Sequence, residues 1–321
     1  MIEKEKLRNI LYNSGAVAVG FSRAHDVPHE VSENFKKWID AGNHARMEYL
    51  ERHIPLRKHP DSVLMGVKTI ISLAYSYFPL KWRSNNLPVI SCYAYGEDYH
   101  EVIKRRLLPV VSDLREQIGG NWRICVDSAP LEERYWAVES GIAKRAKNCS
   151  VIIPGYGSFC FLAEILTDVE IDQDSPCRDS CENCGICMTM CPTKALKGDG
   201  TLDSRKCINY LTIEKRGAWD EKSGEVSILN LLEGRVLYGC DMCLKCCPEN
   251  SKIKKKLRPE FYPTDKLLNL SENEILEMTE SEFKEFFSKS AIKRAKYEGI
   301  LRNAQKCAEN KEYGETSGSL L

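Results

Sequence analysis

The sequence predicts an α/β domain, then a compact unit organised by cysteines, then a short helical C-terminal unit. Three observations predict this. Helical spacing alternates with β-rich runs through the first 170 residues. Cysteines crowd between Cys177 and Cys191 and again between Cys240 and Cys247. Two capping boxes, Ser271 with Glu274 and Thr279 with Glu282, open helices in the last segment. The implied boundaries are 1–170, 171–255 and 256–321, and 321 residues leave room for two or three such units.

The first domain begins with a helical pattern at 2–14 and a short buried-strand pattern, "AVAVGF", at 16–21. Further β-rich runs are "TIISLAYSY" (69–77), "VISCYAY" (89–95), "WRICVDS" (122–128), "SVII" (150–153) and "FCFLAEIL" (159–166). Helices are expected at 31–41, 98–117 and 131–140. From 172 to about 249 the periodicity gives way to cysteines, glycines and short segments, the pattern of a unit held by metal more than by apolar burial. "SKIKKKLRP" (251–259) reads as a basic linker, and a Gly/Ser-containing tail from about Tyr313 is expected to be disordered.

Apolar residues make up 43% and charged residues 29%, which fits a globular chain with a real core and argues against disorder. Net charge is zero, so no global field draws the chain to nucleic acid, and basic patches must be sought locally. "MIEKEKLRNILYNSG" lacks the apolar stretch and cleavage site of a secretory signal, and no run of eighteen apolar residues predicts a membrane span. A cytoplasmic location follows as the expectation. There thiols stay reduced, so fifteen cysteines point to metal, catalysis or core positions before disulfides.

The first array reads Cys181-x2-Cys184-x2-Cys187-x3-Cys191-Pro192, the spacing of bacterial 4Fe–4S ferredoxins. In two-cluster ferredoxins the cysteine before the proline crosses to the other cluster. A second array, Cys240-x2-Cys243-x3-Cys247-Pro248, supplies three more ligands, and Cys207 supplies the missing one. The expected sets are Cys181, Cys184, Cys187 and Cys247 on one cluster, and Cys191, Cys207, Cys240 and Cys243 on the other. A zinc site would leave the triple array and both Cys-Pro endings unexplained. Cys177 and Cys246 fall off the ligand spacing. Cys92, Cys125 and Cys160 lie in apolar runs as small hydrophobes, and Cys149 and Cys307 show no metal spacing.

No G-x-G-x-x-G follows a strand and no P-loop occurs, so electrons leaving the clusters must meet another cofactor or the substrate. Asp127 ends a β-like run just before a turn with Pro130. It reads equally as a proton donor whose pKa is raised by burial and as the cap of a helix starting near Leu131. Glu133 and Arg134 read as helix-surface charges, and His100 as a half-buried helix residue.

Taken in order, "HARMEYLERH" (44–53), "YGEDYH" (95–100), "DSAPLEER" (127–134), "GSFCFLAEILTDVEI" (157–171), the cysteine array with "CPTKAL", "CINYLTIE" (207–214), "YGCDMC" (238–243) and "FFSKSAIKRAKYEGILRNA" (286–304) resemble the epoxyqueuosine reductases, the iron–sulfur and cobalamin enzymes of queuosine biosynthesis in bacterial transfer RNA. The resemblance runs from about residue 4 to residue 310. It implies an N-terminal cobalamin-binding domain of the nitroreductase and reductive-dehalogenase kind, with base-off cobalamin, followed by a ferredoxin-like two-cluster domain. It further implies reduction of the epoxide on the modified wobble base of a transfer RNA, with electrons passing through both clusters to cobalt. Asp127 matches the family's proposed proton donor. Tyr95, Asp98, Tyr99 and His100 match a segment at the cobalamin site.

The implied partners are transfer RNA carrying epoxyqueuosine and an external low-potential donor such as a flavodoxin, ferredoxin or reductase, with the protein a monomer and no membrane involved. Lys289, Lys293, Arg294, Lys296 and Arg302, beside "KIKKKLR", would meet RNA phosphates. One stretch departs from the family: "GIAKRAKN" (141–148) stands where these enzymes carry "GLGWxGKN". If that loop nears the corrin or the substrate, added side chains alter the pocket, while Lys144, Arg145 and Lys147 would add phosphate contacts. The competing readings are a related cobalamin and iron–sulfur reductase of a small molecule and a non-catalytic ferredoxin-like carrier.

Overall fold

A computed structural model describes residues 3–181, 184–231, 235–251, 253 and 258–317. Among these, eight strands form: β1 (Ala18–Arg23), β2 (Thr69–Ser76), β3 (Val89–Ile90), β4 (Trp122–Cys125), β5 (Lys144–Arg145), β6 (Val151–Ile152), β7 (Cys160–Thr167) and β8 (Val236–Tyr238). The main sheet has the order β1-β2-β7-β4 with every pairing antiparallel. The α/β domain is therefore of the mixed α+β kind.

Both faces of this sheet are covered, which is why β2 is buried at every position, Thr69, Ser72 and Ser76 included. Phe21, Ile71, Leu73, Ala163 and Ile165 pack on one face against Leu7 and Leu11 of the helix Lys4–Tyr12 and Val102, Leu107 and Val111 of the helix Tyr99–Ile118. On the other face, Ala74 meets Ala137, while Ile70, Cys125 and Leu166 meet Leu131 and Trp136 around the helix Glu133–Glu139. The expected helices form with ends shifted by a residue or two, as the helix His29–Asp40 also shows.

Three β-rich runs fold differently from their pattern. Only Val89 and Ile90 of "VISCYAY" form a strand, and they pair in parallel with β8 of the cysteine unit. Beyond them Asp241 accepts from the Ser91 hydroxyl and the Cys92 N–H, replacing a strand partner, and the chain turns into a 3-10 helix, Cys92–Ala94. "WRICVDS" stops at Cys125 because Asp127 takes a left-handed φ of 57°. "SVII" contributes Val151 and Ile152 to a separate ribbon with β5.

Both capping boxes form, at Ser271 with Glu274 and at Thr279 with Glu282. The C-terminal segment does not build a core of its own: Phe261, Leu268, Phe287, Ile292 and Ala304 join the same cluster as Leu7 and Ile165. The helix Lys296–Ser317 continues through Tyr313, where the sequence suggests a disordered tail. Residues 318–321 and most of the basic linker (252 and 254–257) lie outside the described residues. No described helix is long and apolar enough to cross a membrane.

Asn303 ties this segment down. It is fully buried, and its Nδ2 donates to the carbonyls of Thr212 and Leu237 at 2.8 Å each. Asn303→Ala leaves both carbonyls without that donor and is expected to lower the unfolding free energy by about 2–4 kcal/mol. Urea titration of the two proteins checks this.

Candidate active site

The helix Tyr99–Ile118 starts at Asp98, whose side chain caps it by accepting from the His100 N–H. The same carboxylate accepts from His100 Nδ1 at 2.8 Å and pairs with Lys293 at 2.8 Å. With Nδ1 held, Nε2 of His100 faces Asp127 Oδ2 at 3.2 Å. The Tyr99 hydroxyl donates to the same oxygen at 2.8 Å. Tyr99 keeps that aim because its ring stacks on Phe161 at 4.2 Å, with the planes only 4° apart. Asp127 therefore stands in a left-handed turn, its N–H bonded to Glu133 Oε1 at 2.7 Å and its side chain 57% exposed.

Flanked by two carboxylates, His100 is a cation. Burial opposes that charge, but hydrogen bonds to Asp127 and Asp98 outweigh it and raise the pKa to about 9. Asp127 moves the other way. Desolvation pushes its carboxyl up, yet the bonds from His100 and Tyr99 win and hold it below the usual carboxylate range. This corrects the expectation of a burial-raised Asp127: the proton of the Asp127–His100 pair resides on the imidazole.

Tyr95 points elsewhere. It is buried, its hydroxyl accepts from the Arg83 N–H at 3.4 Å, and it lines a cavity of about 700 Å³. Phe78, Trp82 and Phe159 form an aromatic wall there, Arg235 and Lys245 bring positive charge, and Cys240 and Cys247 reach the same space. An apolar wall with cationic groups suits a flat macrocycle that carries an anionic tail, so these residues fit a corrin cofactor. Of the four residues expected at such a site, Tyr95 lines this cavity, while Asp98, Tyr99 and His100 gather at Asp127.

The cysteine unit repeats its backbone. Gly185 (φ 64°, ψ 3°) precedes the helix Ile186–Met190, and Asp241 (φ 62°, ψ 1°) precedes the helix Met242–Lys245. Cys191 and Cys247 are both extended before their prolines, with ψ of 110° and 123°. Cys181, Cys184, Cys187 and Cys247 line one small pocket. Cys207 neighbours Cys191, and Cys240 and Cys243 neighbour Cys207. Each group thus contains one cysteine from the opposite array.

Backbone N–H groups approach these sulfurs, among them Lys147 to Cys181 at 3.3 Å, Met242 to Cys240 and Glu249 to Cys247. No three described His, Cys, Asp or Glu side chains close on a single metal ion. The first four thiols instead surround an opening, and with N–H donors aimed at sulfur the unit fits iron–sulfur clusters. Cys246 lies beside the first group, near Cys187 and Cys247, and gives its S–H to the Cys243 carbonyl at 3.7 Å.

The divergent 141–148 loop faces this unit. Lys144 pairs with Glu249 at 2.7 Å, Arg145 accepts the Cys181 N–H through its carbonyl, and Asn148 donates to the Cys243 carbonyl at 3.1 Å. Ala143 and Ala146 are buried. The loop therefore seats the cysteines, and Lys144 is held by an ion pair and is not displayed to phosphate.

Other cations are also tied to groups of the protein. Arg302 donates to the carbonyls of Leu211, Lys215 and Gly217 and lies over Trp219, so it is a structural tie. Lys293 is taken by Asp98 and Arg294 by Glu214 at 2.8 Å. Lys289 and Lys296 are exposed.

Residues 57–128 match the family described as "Epoxyqueuosine reductase QueG, DUF1730", and residues 180–250 match a 4Fe-4S double cluster binding domain. The epoxyqueuosine reductase of Cellulophaga algicola is 34% identical over 293 residues, covering 90% of this chain and 92% of that one. The chain belongs to the epoxyqueuosine reductase family. Its fold agrees: an epoxyqueuosine reductase crystallised with an epoxyqueuosine-modified tRNA-Tyr stem loop superposes with a TM-score of 0.84 at 28% identity, over 96% of this chain and 81% of that one. The Bacillus subtilis epoxyqueuosine reductase, solved with its catalytic aspartate loop swung out of the active site, gives 0.83 at 27% identity, over 97% and 82%.

Two residues of this epoxyqueuosine reductase site escape sequence reading. Glu133 is turned to the Asp127 backbone instead of solvent, and Glu164 is wholly buried in β7. A lone acid inside the apolar run "CFLAEILT" was the available signal for Glu164.

Cys247→Ser is expected to destroy the cluster bound with Cys181, Cys184 and Cys187 while sparing the other. Iron analysis should fall by half, and the electron paramagnetic resonance of the reduced protein should lose the interaction between two clusters. Loss confined to the Cys240 group contradicts the crossed arrangement.

Proposed function

We propose that this protein reduces epoxyqueuosine to queuosine at the wobble position of transfer RNA in the cytoplasm. Two 4Fe–4S clusters, one on Cys181, Cys184, Cys187 and Cys247 and one on Cys191, Cys207, Cys240 and Cys243, would carry electrons from an external low-potential donor. A cobalamin would lie in the cavity beside Tyr95, Trp82 and Phe159. The observation that carries the reading is the Asp127–His100 pair, which presents a carboxylate and a shared proton at the surface of a chain with a double-cluster domain.

Removing an epoxide oxygen as water breaks two C–O bonds, forms one C=C bond and consumes two electrons and two protons. The clusters, when bound, pass electrons singly, and cobalamin supplies a low-potential centre able to act on carbon. The chain's own side chains handle the protons. Asp127 meets the epoxide oxygen and hands it the first proton, the one His100 holds, because an alkoxide leaves readily only when protonated as it departs. The second proton, taken up from solvent through the same exposed pair, lets the oxygen leave as water. Tyr99 fixes the carboxylate, and Asp98 keeps His100 charged and oriented. Lys293 balances the charge of Asp98, so one proton can move without stranding an anion. Exposed Lys289 and Lys296 support contact with RNA phosphates.

Asp127→Asn is expected to lower turnover of epoxyqueuosine-bearing transfer RNA by about 10²–10⁴-fold, with iron content unchanged. Turnover near the parent rate removes the proton-donor role. The pH dependence follows from His100: its folded pKa is raised, so the proton-carrying form is present below about 9 and lost as pH rises through it. A rate limb near that pH, absent in His100→Gln, is the expected profile.

A further inference from the structure

Behind the Asp127 turn lies a pair of acids that the chemistry above leaves unused. Glu164 stands in β7 opposite Ser72 of β2 and Cys125 of β4, and all three are buried. Among the described residues neither carboxyl oxygen of Glu164 meets a conventional donor, and the Ser72 hydroxyl is also unpartnered. The polar group Glu164 does touch is the carboxyl of Glu133. Glu133 in turn receives the Asp127 N–H at 2.7 Å.

Nearby cations are occupied with other groups. Arg57 bonds the Leu131 carbonyl and Glu132, Arg134 bonds the Cys149 carbonyl, and Arg123 bonds the Val63 carbonyl. Two carboxyl groups in contact within an apolar layer bond one another only when one carries a proton; two bare anions there repel.

We propose that Glu133 and Glu164 work as one proton-sharing unit that positions Asp127: Glu164 donates to Glu133, and Glu133 holds the Asp127 N–H so that the strained turn keeps its carboxylate on Tyr99 and His100. This rests on the reading of Asp127 as proton donor. A non-glycine residue in a left-handed turn is held there against its own backbone preference, and a hydrogen bond to a charged group is strong enough to hold it. Losing the latch therefore releases the turn.

The electrostatics agree. Burial, then the neighbouring charge of Asp127, raises Glu133 to about 7, and burial carries Glu164 well above its ordinary value. The other facing acids do not change charge there: Asp127 stays ionised, and burial pushes Cys125 to about 12; the facing bases are Arg57, Arg123 and Arg134. Glu133 gives up its proton as pH rises through about 7 while Glu164, whose carboxyl burial raises well above its ordinary value, keeps its own, so the one-proton pair forms and the latch tightens on the alkaline side.

The test compares parent, Glu164→Gln, Glu133→Ala and Asp127→Asn holoenzymes, each checked for iron content and melting temperature, on transfer RNA carrying epoxyqueuosine. Glu164→Gln keeps a donor toward Glu133 that cannot ionise. It should turn over like the parent above about pH 7, where Glu133 is ionised, and lose a carboxylic-acid C=O infrared band that the parent still shows there. Glu133→Ala should reduce kcat by about tenfold with KM little changed, the effect of one lost hydrogen bond. An unaltered infrared spectrum in Glu164→Gln, or parental kcat in folded Glu133→Ala, overturns the unit. Parental turnover in Asp127→Asn overturns the proton-donor reading instead, and leaves the infrared band of the acid pair in place.

Discussion

One carboxylate joins the helix end, the histidine and the C-terminal segment on which the site depends. Asp98 receives the His100 N–H, the His100 ring and Lys293, and its own N–H donates to the Lys289 carbonyl at 2.6 Å. Burial works against its charge, but the bonds from His100 and Lys293 hold its carboxyl below the ordinary range. Helix capping, imidazole orientation and docking of the last segment therefore rest on a single ionised group. Without it, His100 would lose both its aim and one of the two charges that keep it protonated.

The sheet explains why such a cluster can sit at a strained turn. With both faces covered, β4 and β7 are fixed in register from Trp122↔Thr167 to Cys125↔Glu164, and the chain leaving β4 has no freedom to relax elsewhere. The turn at Asp127 is then held from three directions, by Tyr99, by His100 and by Glu133. The cysteine unit is anchored to the same frame through Lys144 with Glu249, Asn250 with Ser158, and Asp241 with Ser91 and Cys92. Asp241 also occupies the left-handed position that Gly185 fills in the other half, so a loop of the second array is tied directly to the first domain.

Much of the local structure was legible. The Lys4–Tyr12 and Tyr99–Ile118 helices follow apolar spacing, and both capping boxes follow from residues three apart. The divergent 141–148 loop was visible as a departure, but its contact with the cysteines depends on residues about a hundred positions away. Cations were the least legible. Arg302 and Lys293 look like RNA contacts in a basic string, yet buried carbonyls and Asp98 claim them.

The sequence by itself determined the helix starts, the apolar faces and the two cysteine arrays, because these depend on neighbours within a few residues or on fixed ligand spacing. Only the tertiary structure decided that the divergent 141–148 loop seats the cysteines, that the sheet is antiparallel, and where the proton near Asp127 resides. That last point turns on electrostatics: a carboxyl's pKa reflects who surrounds it. For Asp127 the deciding neighbours are Tyr99 and His100, brought 28 and 27 positions back along the chain, whereas Glu133 and Glu164 meet in an apolar layer that no linear pattern reveals.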